Sequence, residues 1–273
     1  MRGTSRTALA ATRQSLDGVL RGIGAQANSI VTLSDELFNV MAVLDSSPRL
    51  RRALTDPSRE DSAKQSLIRD VAKSASQPTL ELLTSVVSQR WSSPRDMVDA
   101  MEAIAVEAQA AAANLQGELD QVEEELFQIS QLITAQPELR QALTDRFTET
   151  QTKVAILNGV LSGKITPYTL RLLRAIVESP RGRSLDRGLA EFMKATADRR
   201  NHLIARVFSA VELTEGQLTR LSQALSKQVG QPVRLNAQVD PETIGGLSVR
   251  LADEVIDGTL INRLTQARRV LVG

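Results

Sequence analysis

The sequence predicts a mainly α protein, in which two tandem duplicated helical bundles are followed by a small α/β domain at the C-terminal end. Three observations predict this fold class. Apolar residues recur every three or four positions through the first two thirds of the 273-residue chain, as in amphipathic helices. A nine-residue segment occurs twice, and after residue 202 the hydrophobic period shortens to two. We expect the domains to be residues 1–114, 115–200 and 201–273.

The first helix is predicted near the N-terminus, in a segment that also carries basic residues. Arg2, Arg6 and Arg13 precede the first acidic residue, which is superficially similar to an organellar transit peptide. The segment lacks the apolar core of a secretory signal. We interpret it as an amphipathic helix of a cytoplasmic or cytoplasm-facing protein, because five apolar residues follow helical spacing: Leu9, Leu16, Val19, Leu20 and Ile23.

An internal repeat organises the helical region that follows. Residues 48–56 read PRLRRALTD and residues 137–145 read PELRQALTD, so seven of nine positions are identical at an offset of 89 residues. The same offset continues along the chain and pairs Lys64 with Lys153, Pro78 with Pro167, Leu83 with Leu172 and Val87 with Ile176. A register shared over this length predicts a duplicated helical module, with copies near residues 28–110 and 117–200.

Each copy carries the same signals for helix starts. Pro48 and Pro137 suit the first position of a helix, where the missing N–H costs nothing, and Pro78 and Pro167 are expected to open a later helix. An apolar stripe follows in each copy: Leu67, Ile68 and Val71, then Ile156, Leu157 and Val160. Such a stripe forms either a groove for a partner helix or the core of a bundle, and the core is the simpler interpretation.

Between the copies, residues 95–134 contain no proline and one glycine, Gly117. Apolar residues step by three or four from Met101 to Ile133, which predicts one long amphipathic helix that is kinked at the glycine. We interpret the Glu123-Glu124-Glu125 run within this helix as a solvated face.

The last third is typical of a small α/β domain. Residues 202–211 alternate between two faces and are rich in β-branched side chains, which predicts a strand. Thr214 and Gln217 have the spacing of a capping box at a helix start. The remaining pattern predicts a second strand, a third strand, a further paired segment and a last helix, at 233–239, 247–251, 255–257 and from about Gly258.

Composition excludes several classes of active site. The chain has no cysteine and one histidine, which removes disulfide frameworks, thiolate nucleophiles and sites that need two histidines. A net charge of +1 and 3% aromatic residues give no strong drive towards nucleic acid. No stretch approaches about 18 uninterrupted apolar residues, so we expect no direct membrane insertion. We predict no catalytic, cofactor-binding or metal-binding residues.

Three local patterns come close to a functional site and are interpreted otherwise. Gly22, Gly24 and Ala27 match a dinucleotide-binding fingerprint, but they follow a helical pattern instead of the strand which that motif needs. His202 opens the first predicted strand and is taken as a structural or surface residue. Five arginines form a basic neighbourhood that we interpret as a solvated face, with contact to an acidic partner as the alternative: Arg181, Arg183, Arg187, Arg199 and Arg200.

Residues 239–271 resemble the C-terminal signature of the delta subunit of F-type ATP synthase, whose mitochondrial counterpart is the oligomycin-sensitivity conferral protein. In that family an Ile-Gly-Gly turn precedes a strand with arginine, an Asp-x-Val-Ile-Asp-Gly-Ser segment and a helix with Arg-Leu; Thr259 stands here for the serine. The resemblance makes nine residues interface candidates: Ile244, Gly245, Gly246, Arg250, Asp253, Asp257, Gly258, Arg263 and Leu264. Typical members carry one helical copy, whereas this chain is similar to the long actinobacterial form.

The resemblance implies a non-catalytic stator subunit without a cofactor. In the family the helical domain binds the N-terminal helices of the α subunits, and the C-terminal domain holds the stalk b subunit, so that the head resists rotor torque during proton-driven ATP synthesis. A large hetero-oligomer on the cytoplasmic face of the bacterial cell membrane is therefore expected. Which helical copy carries the binding role stays open. The alternative is a free-standing helical adaptor or scaffold that binds amphipathic helices.

Overall fold

The computed structural model describes residues 3–240, 247–251 and 254–257. They form two compact units, Met1–Ala197 and Asp198–Gly273. The helices are α1 Gly3–Ile23, α2 Ala27–Ser46, α3 Pro48–Thr55, α4 Asp61–Val71, α5 Gln77–Ser88, α6 Pro94–Leu115, α7 Leu119–Ala135, α8 Pro137–Thr144, α9 Thr150–Leu161, α10 Pro167–Glu178, α11 Leu185–His202 and α12 Glu215–Val229. The strands are β1 Ile204–Ser209, β2 Arg234–Val239, β3 Leu247–Leu251 and β4 Glu254–Asp257.

The predicted fold class is confirmed, and the repeated prolines mark helix starts as expected. Pro48 and Pro137 are the first residues of α3 and α8, and Pro167 is the first residue of α10. The side chain of Ser47 accepts a hydrogen bond from the backbone N–H of Leu50, which caps α3. The domain boundaries at residues 114 and 200 stay predictions.

The segment 95–134 is two helices, so the prediction of one kinked helix is wrong. The first of them, α6, ends at Leu115, and α7 begins at Leu119. Gly117 lies between them with a φ of +74°, in the left-handed region that ends helices. A residue in that conformation breaks the ladder of helical hydrogen bonds, so the chain turns at Gly117.

The repeat changes register before its last matched helix. Buried Ile68 in α4 corresponds to buried Leu157 in α9 at the predicted offset of 89. In the next helix the buried sets match at an offset of 90: Leu82, Leu83, Val86 and Val87 with Leu172, Leu173, Ile176 and Val177. The predicted pairing of Leu83 with Leu172 is therefore wrong by one residue. The extra residue lies in α9, which has 12 residues where α4 has 11, and the turn that follows α9 contains Gly163 with a φ of +76°.

Two hydrophobic cores lie within the first unit, and α6 contributes to both. Met101 and Ala108 of α6 belong to a core formed with α1 to α5, whereas Val106 and Ala113 belong to a core formed with α7 to α11. Every residue from 104 to 113 is buried. A helix that is buried on all sides needs small side chains to pack closely, and this stretch is rich in alanine.

The second unit is a four-stranded sheet with strand order β2-β1-β3-β4 and helix α12. Strand β1 pairs in parallel with β2 and antiparallel with β3. The capping box of Thr214 and Gln217 forms at the start of α12, as predicted. His202 ends α11 and does not open β1, which starts two residues later. The helix predicted from about Gly258 lies outside the described residues.

Candidate interaction sites

The described residues contain no arrangement suited to metal binding. Within 3–240, 247–251 and 254–257, no group of three histidine, cysteine or carboxylate side chains could hold a metal ion. In the same ranges, no helix is long and apolar enough to cross a membrane. The Gly22-x-Gly24 pattern lies at the end of helix α1 with no strand before it, so it does not form a nucleotide-binding loop.

An open groove of about 660 Å³ runs between α1 and α5 in the first bundle. The hydroxyls of Ser15 and Ser85 share a hydrogen bond of 2.7 Å that joins the two helices. A Cβ atom at Gly22 would meet nothing within 4 Å, so the α1 wall is open at this position. The lining is Ser15, Gly18, Val19, Gly22, Ile23, Gln26, Ser29, Pro78, Glu81, Leu82 and Ser85. A concave surface of small, apolar and few charged residues is suited to an amphipathic helix.

A carboxylate holds the start of α5, the second wall of the groove. Glu36 of α2 accepts hydrogen bonds from the backbone N–H of Ser76 at 3.0 Å, from its hydroxyl at 2.7 Å and from the hydroxyl of Thr79. A negative charge at a helix N-terminus also complements the helix dipole. The arrangement fixes α5 relative to α2.

The second bundle repeats this arrangement with Glu125. Its carboxylate accepts hydrogen bonds from the N–H of Thr166 at 3.0 Å, from the Thr166 hydroxyl at 2.9 Å and from the Thr169 hydroxyl at 2.6 Å. Glu125 is 7% exposed, so the prediction that the Glu123–Glu125 run is a solvated face is wrong for this residue. The sequence signal was the match of Glu36 with Glu125 at the repeat offset, each paired with Ser/Thr-x-x-Thr at the next helix start.

The arginines before α11 join the two bundles, instead of forming the predicted solvated face. Arg181 Nη1 donates to Glu102 of α6 at 2.7 Å, and Arg183 Nη2 donates to the other oxygen of Glu102 at 2.6 Å. The side chain of Arg181 is 6% exposed and that of Glu102 is 7% exposed. Asp99 also pairs with Arg181. Charges buried in this way bind one another and are not available to a partner.

The other members of the basic neighbourhood have separate positions. Arg187 is exposed and pairs with Glu191 at 3.0 Å, so it fits the predicted solvated face. Arg199 is 2% exposed and its Nη2 donates to Gln231 at 3.1 Å within the second unit. Proximity in the sequence therefore did not produce one basic surface.

The pKa values agree with a tightly paired cluster. Burial alone would lower the pKa of Arg183, but hydrogen bonds to Glu102 and Glu191 and their charges outweigh it and raise that pKa. Burial alone would raise the pKa of Glu191, but hydrogen bonds from Arg187 and Arg183 outweigh it and lower that pKa. Both groups are therefore held in their charged forms.

A second contact between the bundles joins α2 to α10 and α11. Asp35 Oδ2 of α2 accepts from Arg171 Nη1 of α10 at 2.5 Å. Phe38 of α2 stacks on Phe192 of α11 with ring centroids 6.0 Å apart. Burial raises the pKa of Asp35, and the charges of Arg171 and Arg174 oppose that rise.

Few of the nine signature residues lie within the described part of the chain. Arg250 lies in β3 and is exposed, with its guanidinium carbon 5.4 Å from the centroid of the Phe208 ring. Asp257 ends β4, where its backbone lies opposite Ser248. The other seven lie outside the described residues: Ile244, Gly245, Gly246, Asp253, Gly258, Arg263 and Leu264. The interface roles of all nine stay predictions.

Comparison with known proteins finds similarity along the whole chain. The family model described as "ATP synthase delta (OSCP) subunit" matches residues 19–112 and, a second time, residues 105–271. Proteins named "ATP synthase subunit delta" are similar at full length: the one from Thermobifida fusca is 42% identical, with 100% of each chain covered. The one from Streptomyces coelicolor is 43% identical, with 99% of this chain and 98% of that protein covered. The two family matches overlap within the part of α6 that is buried on all sides.

Proposed function

The chain belongs to the ATP synthase delta (OSCP) subunit family, and from this premise we propose that it is a non-catalytic peripheral-stalk subunit of an F-type ATP synthase. In this role it holds the catalytic head still against the torque of the rotor. The observation that carries the proposal is the full-length similarity to delta subunits, together with two separate matches of the family model. The subunit acts within a hetero-oligomeric complex, peripherally on the cytoplasmic face of the bacterial cell membrane.

We propose that the helical unit binds the N-terminal helices of α subunits and that the C-terminal unit binds the b subunit. The open groove between α1 and α5 supports the first contact, because its size and small side chains suit an amphipathic helix. The buried ion pairs of Glu102 with Arg181 and Arg183 support a role in transmitting force, because they join α6 to the loop before α11.

The proposal is tested by capture of the purified α subunits, catalytic head and stalk b subunit on the immobilised full chain. We expect stoichiometric capture of α-containing head and of b, and no ATP hydrolysis by the chain alone. Retention of neither partner would contradict the stator function and favour a free-standing adaptor. Robust hydrolysis by the isolated chain would contradict the non-catalytic role.

The nine signature residues are proposed to serve the b contact, and Arg250 is chosen for the test because it is exposed. Arg250→Ala is expected to lower b capture several-fold while α capture is unchanged, because the exposed guanidinium lies on the C-terminal unit. Arg220→Ala is the matched control, since it removes an exposed arginine from α12 of the same unit. Equal loss in both variants would show a general charge effect and would refute the role of Arg250.

A further inference from the structure

The groove between α1 and α5 has a structural counterpart in the second bundle. Helix α6 corresponds to α1 at an offset of 93, because both helices end just before a left-handed glycine, Gly24 or Gly117. At this offset the buried residue Leu20 corresponds to Ala113, which lies in the second core. Helix α10 corresponds to α5 at the offset of 90. The second groove would therefore lie between α6 and α10.

The α6 wall of this second groove is covered by the first bundle. Ser15 and Gly18 of α1 correspond to Ala108 and Ala111 of α6, and both alanines are fully buried members of the first core. Gly22 corresponds to Leu115, which also packs against the first core. Helix α2 packs extensively along α6. The positions that are open on α1 are therefore closed on α6.

Side chains of α2 also contact the α10 wall, where Arg171 and Asp35 stay 43% and 40% exposed. Pro78 and Glu81 of α5 correspond to Tyr168 and Arg171 of α10. Tyr168 packs against both cores, and Arg171 binds Asp35 of α2. Phe38, one helical turn after Asp35, also packs against both cores. Helix α2 thus brings one acidic and one large apolar side chain into the second groove.

We propose that α2 is the built-in occupant of the second groove, so that the first groove alone accepts a helix from outside. This inference rests on the proposed function, in which that helix is the N-terminal helix of an α subunit. One chain then binds one such helix, although it carries two bundles. The second bundle is then a rigid extension of the first bundle and does not provide a second binding site.

The charged residues on the groove walls indicate which side chains the bound helix must carry. In the second groove, Arg171 of the wall forms an ion pair with Asp35 of α2. The first groove has Glu81 at the position that corresponds to Arg171. Glu81 is exposed. A helix that binds as α2 does must therefore present lysine or arginine to Glu81, within one turn of a large apolar residue that fills the place of Phe38.

The test is calorimetric titration of the full chain with a synthetic peptide that comprises the N-terminal helix of the α subunit from the same synthase. We expect one site per chain. Gly22→Leu is expected to weaken binding about tenfold or more by filling the groove. Its fold should persist, because nothing lies within 4 Å of the new Cβ. Gly159→Leu is the matched control, an exposed helical glycine of α9 that also has nothing within 4 Å, and should bind normally.

A charge exchange tests the selectivity independently. Glu81→Lys is expected to weaken peptide binding several-fold. A peptide in which the lysine or arginine that faces Glu81 is replaced by glutamate should regain affinity for this variant and not for the wild type. Glu178→Lys, at an exposed carboxylate of α10, should leave affinity unchanged. Two sites per chain, or binding that ignores both Gly22→Leu and Glu81→Lys, would overturn the inference and leave the α contact intact. Absence of any peptide binding would overturn the α contact itself, and the inference with it.

Discussion

At the scale of single residues, Glu102 forms two buried ion pairs within the helical unit. Its two oxygens accept from Arg181 and Arg183, which come from the loop before α11, while Glu102 itself lies on α6. The geometry is favourable because each guanidinium reaches a carboxylate oxygen at 2.6 to 2.7 Å. Arg181 also has a φ of +55°, a conformation that few non-glycine residues adopt. The contact with Glu102 helps to hold that backbone in place.

Glu102→Ala is expected to lower the free energy of unfolding by about 3 kcal/mol, because it removes the buried acceptor that both guanidinium groups share and leaves them only the more exposed Asp99 and Glu191. Urea unfolding followed by circular dichroism measures this change. Glu124→Ala removes an exposed glutamate from α7 and should change stability by no more than about 0.5 kcal/mol. A loss of similar size in both variants would refute the special role of Glu102.

At the scale of elements, the two bundles share one device for fixing a helix start. Glu36 on α2 holds the first turn of α5, and Glu125 on α7 holds the first turn of α10, in each case through one backbone N–H and two hydroxyls. Since α5 is a wall of the open groove, Glu36 positions that wall. Glu125 positions the helix that binds α2 through Arg171.

Glu125→Ala is expected to destabilise the protein by about 2–4 kcal/mol, because it removes hydrogen bonds to a charged acceptor and leaves the N–H of Thr166 buried without a partner. Glu125→Gln should cost less, because the amide oxygen still accepts. Denaturant unfolding of the wild type, Glu125→Gln and Glu125→Ala gives the order of their free energies of unfolding. If Glu125→Gln were as unstable as Glu125→Ala, hydrogen-bond acceptance would not be the main contribution.

At the scale of the whole molecule, a shared helix makes the two bundles interdependent. Helix α6 supplies Met101 and Ala108 to the first core and Val106 and Ala113 to the second, so neither core is complete without it. Both bundles belong to one compact unit, Met1–Ala197. Unfolding of either bundle exposes an apolar, alanine-rich face of α6 to water. This exposure destabilises the bundle that is still folded, because α6 belongs to both.

The helical unit is therefore expected to unfold in a single transition. Trp91, the one tryptophan of the chain, is buried in the first core and reports on that bundle. Phe127→Trp in a Trp91→Phe background reports on the second bundle from the 49% exposed position on α7. For each of the two proteins, the urea midpoint measured by fluorescence should coincide with the midpoint that the same protein shows by circular dichroism. Separate midpoints for the two probes would mean that the bundles unfold independently.

Much of the fold was predictable because its signals are local. Pro48 and Pro137 mark helix starts, Thr214 and Gln217 form a capping box, and alternation marks β1, and each signal depends on residues a few positions apart. The same local reasoning failed for Glu125 and Arg181, whose charges predict exposure. Their partners lie 41 and 79 residues away, beyond the reach of periodicity or capping rules.

The sequence by itself determined most helix starts, the duplication and the family, because propensity, capping and repetition depend on neighbouring residues; the break between α6 and α7 at Gly117 was not determined in this way. Only the tertiary structure decided which of the two equivalent grooves is open. That outcome depends on α2 lying along α6 and on Asp35 meeting Arg171, a pair 136 residues apart. Packing between distant helices decides which faces of near-identical modules stay exposed, and two copies with the same local sequence pattern can therefore have different surfaces.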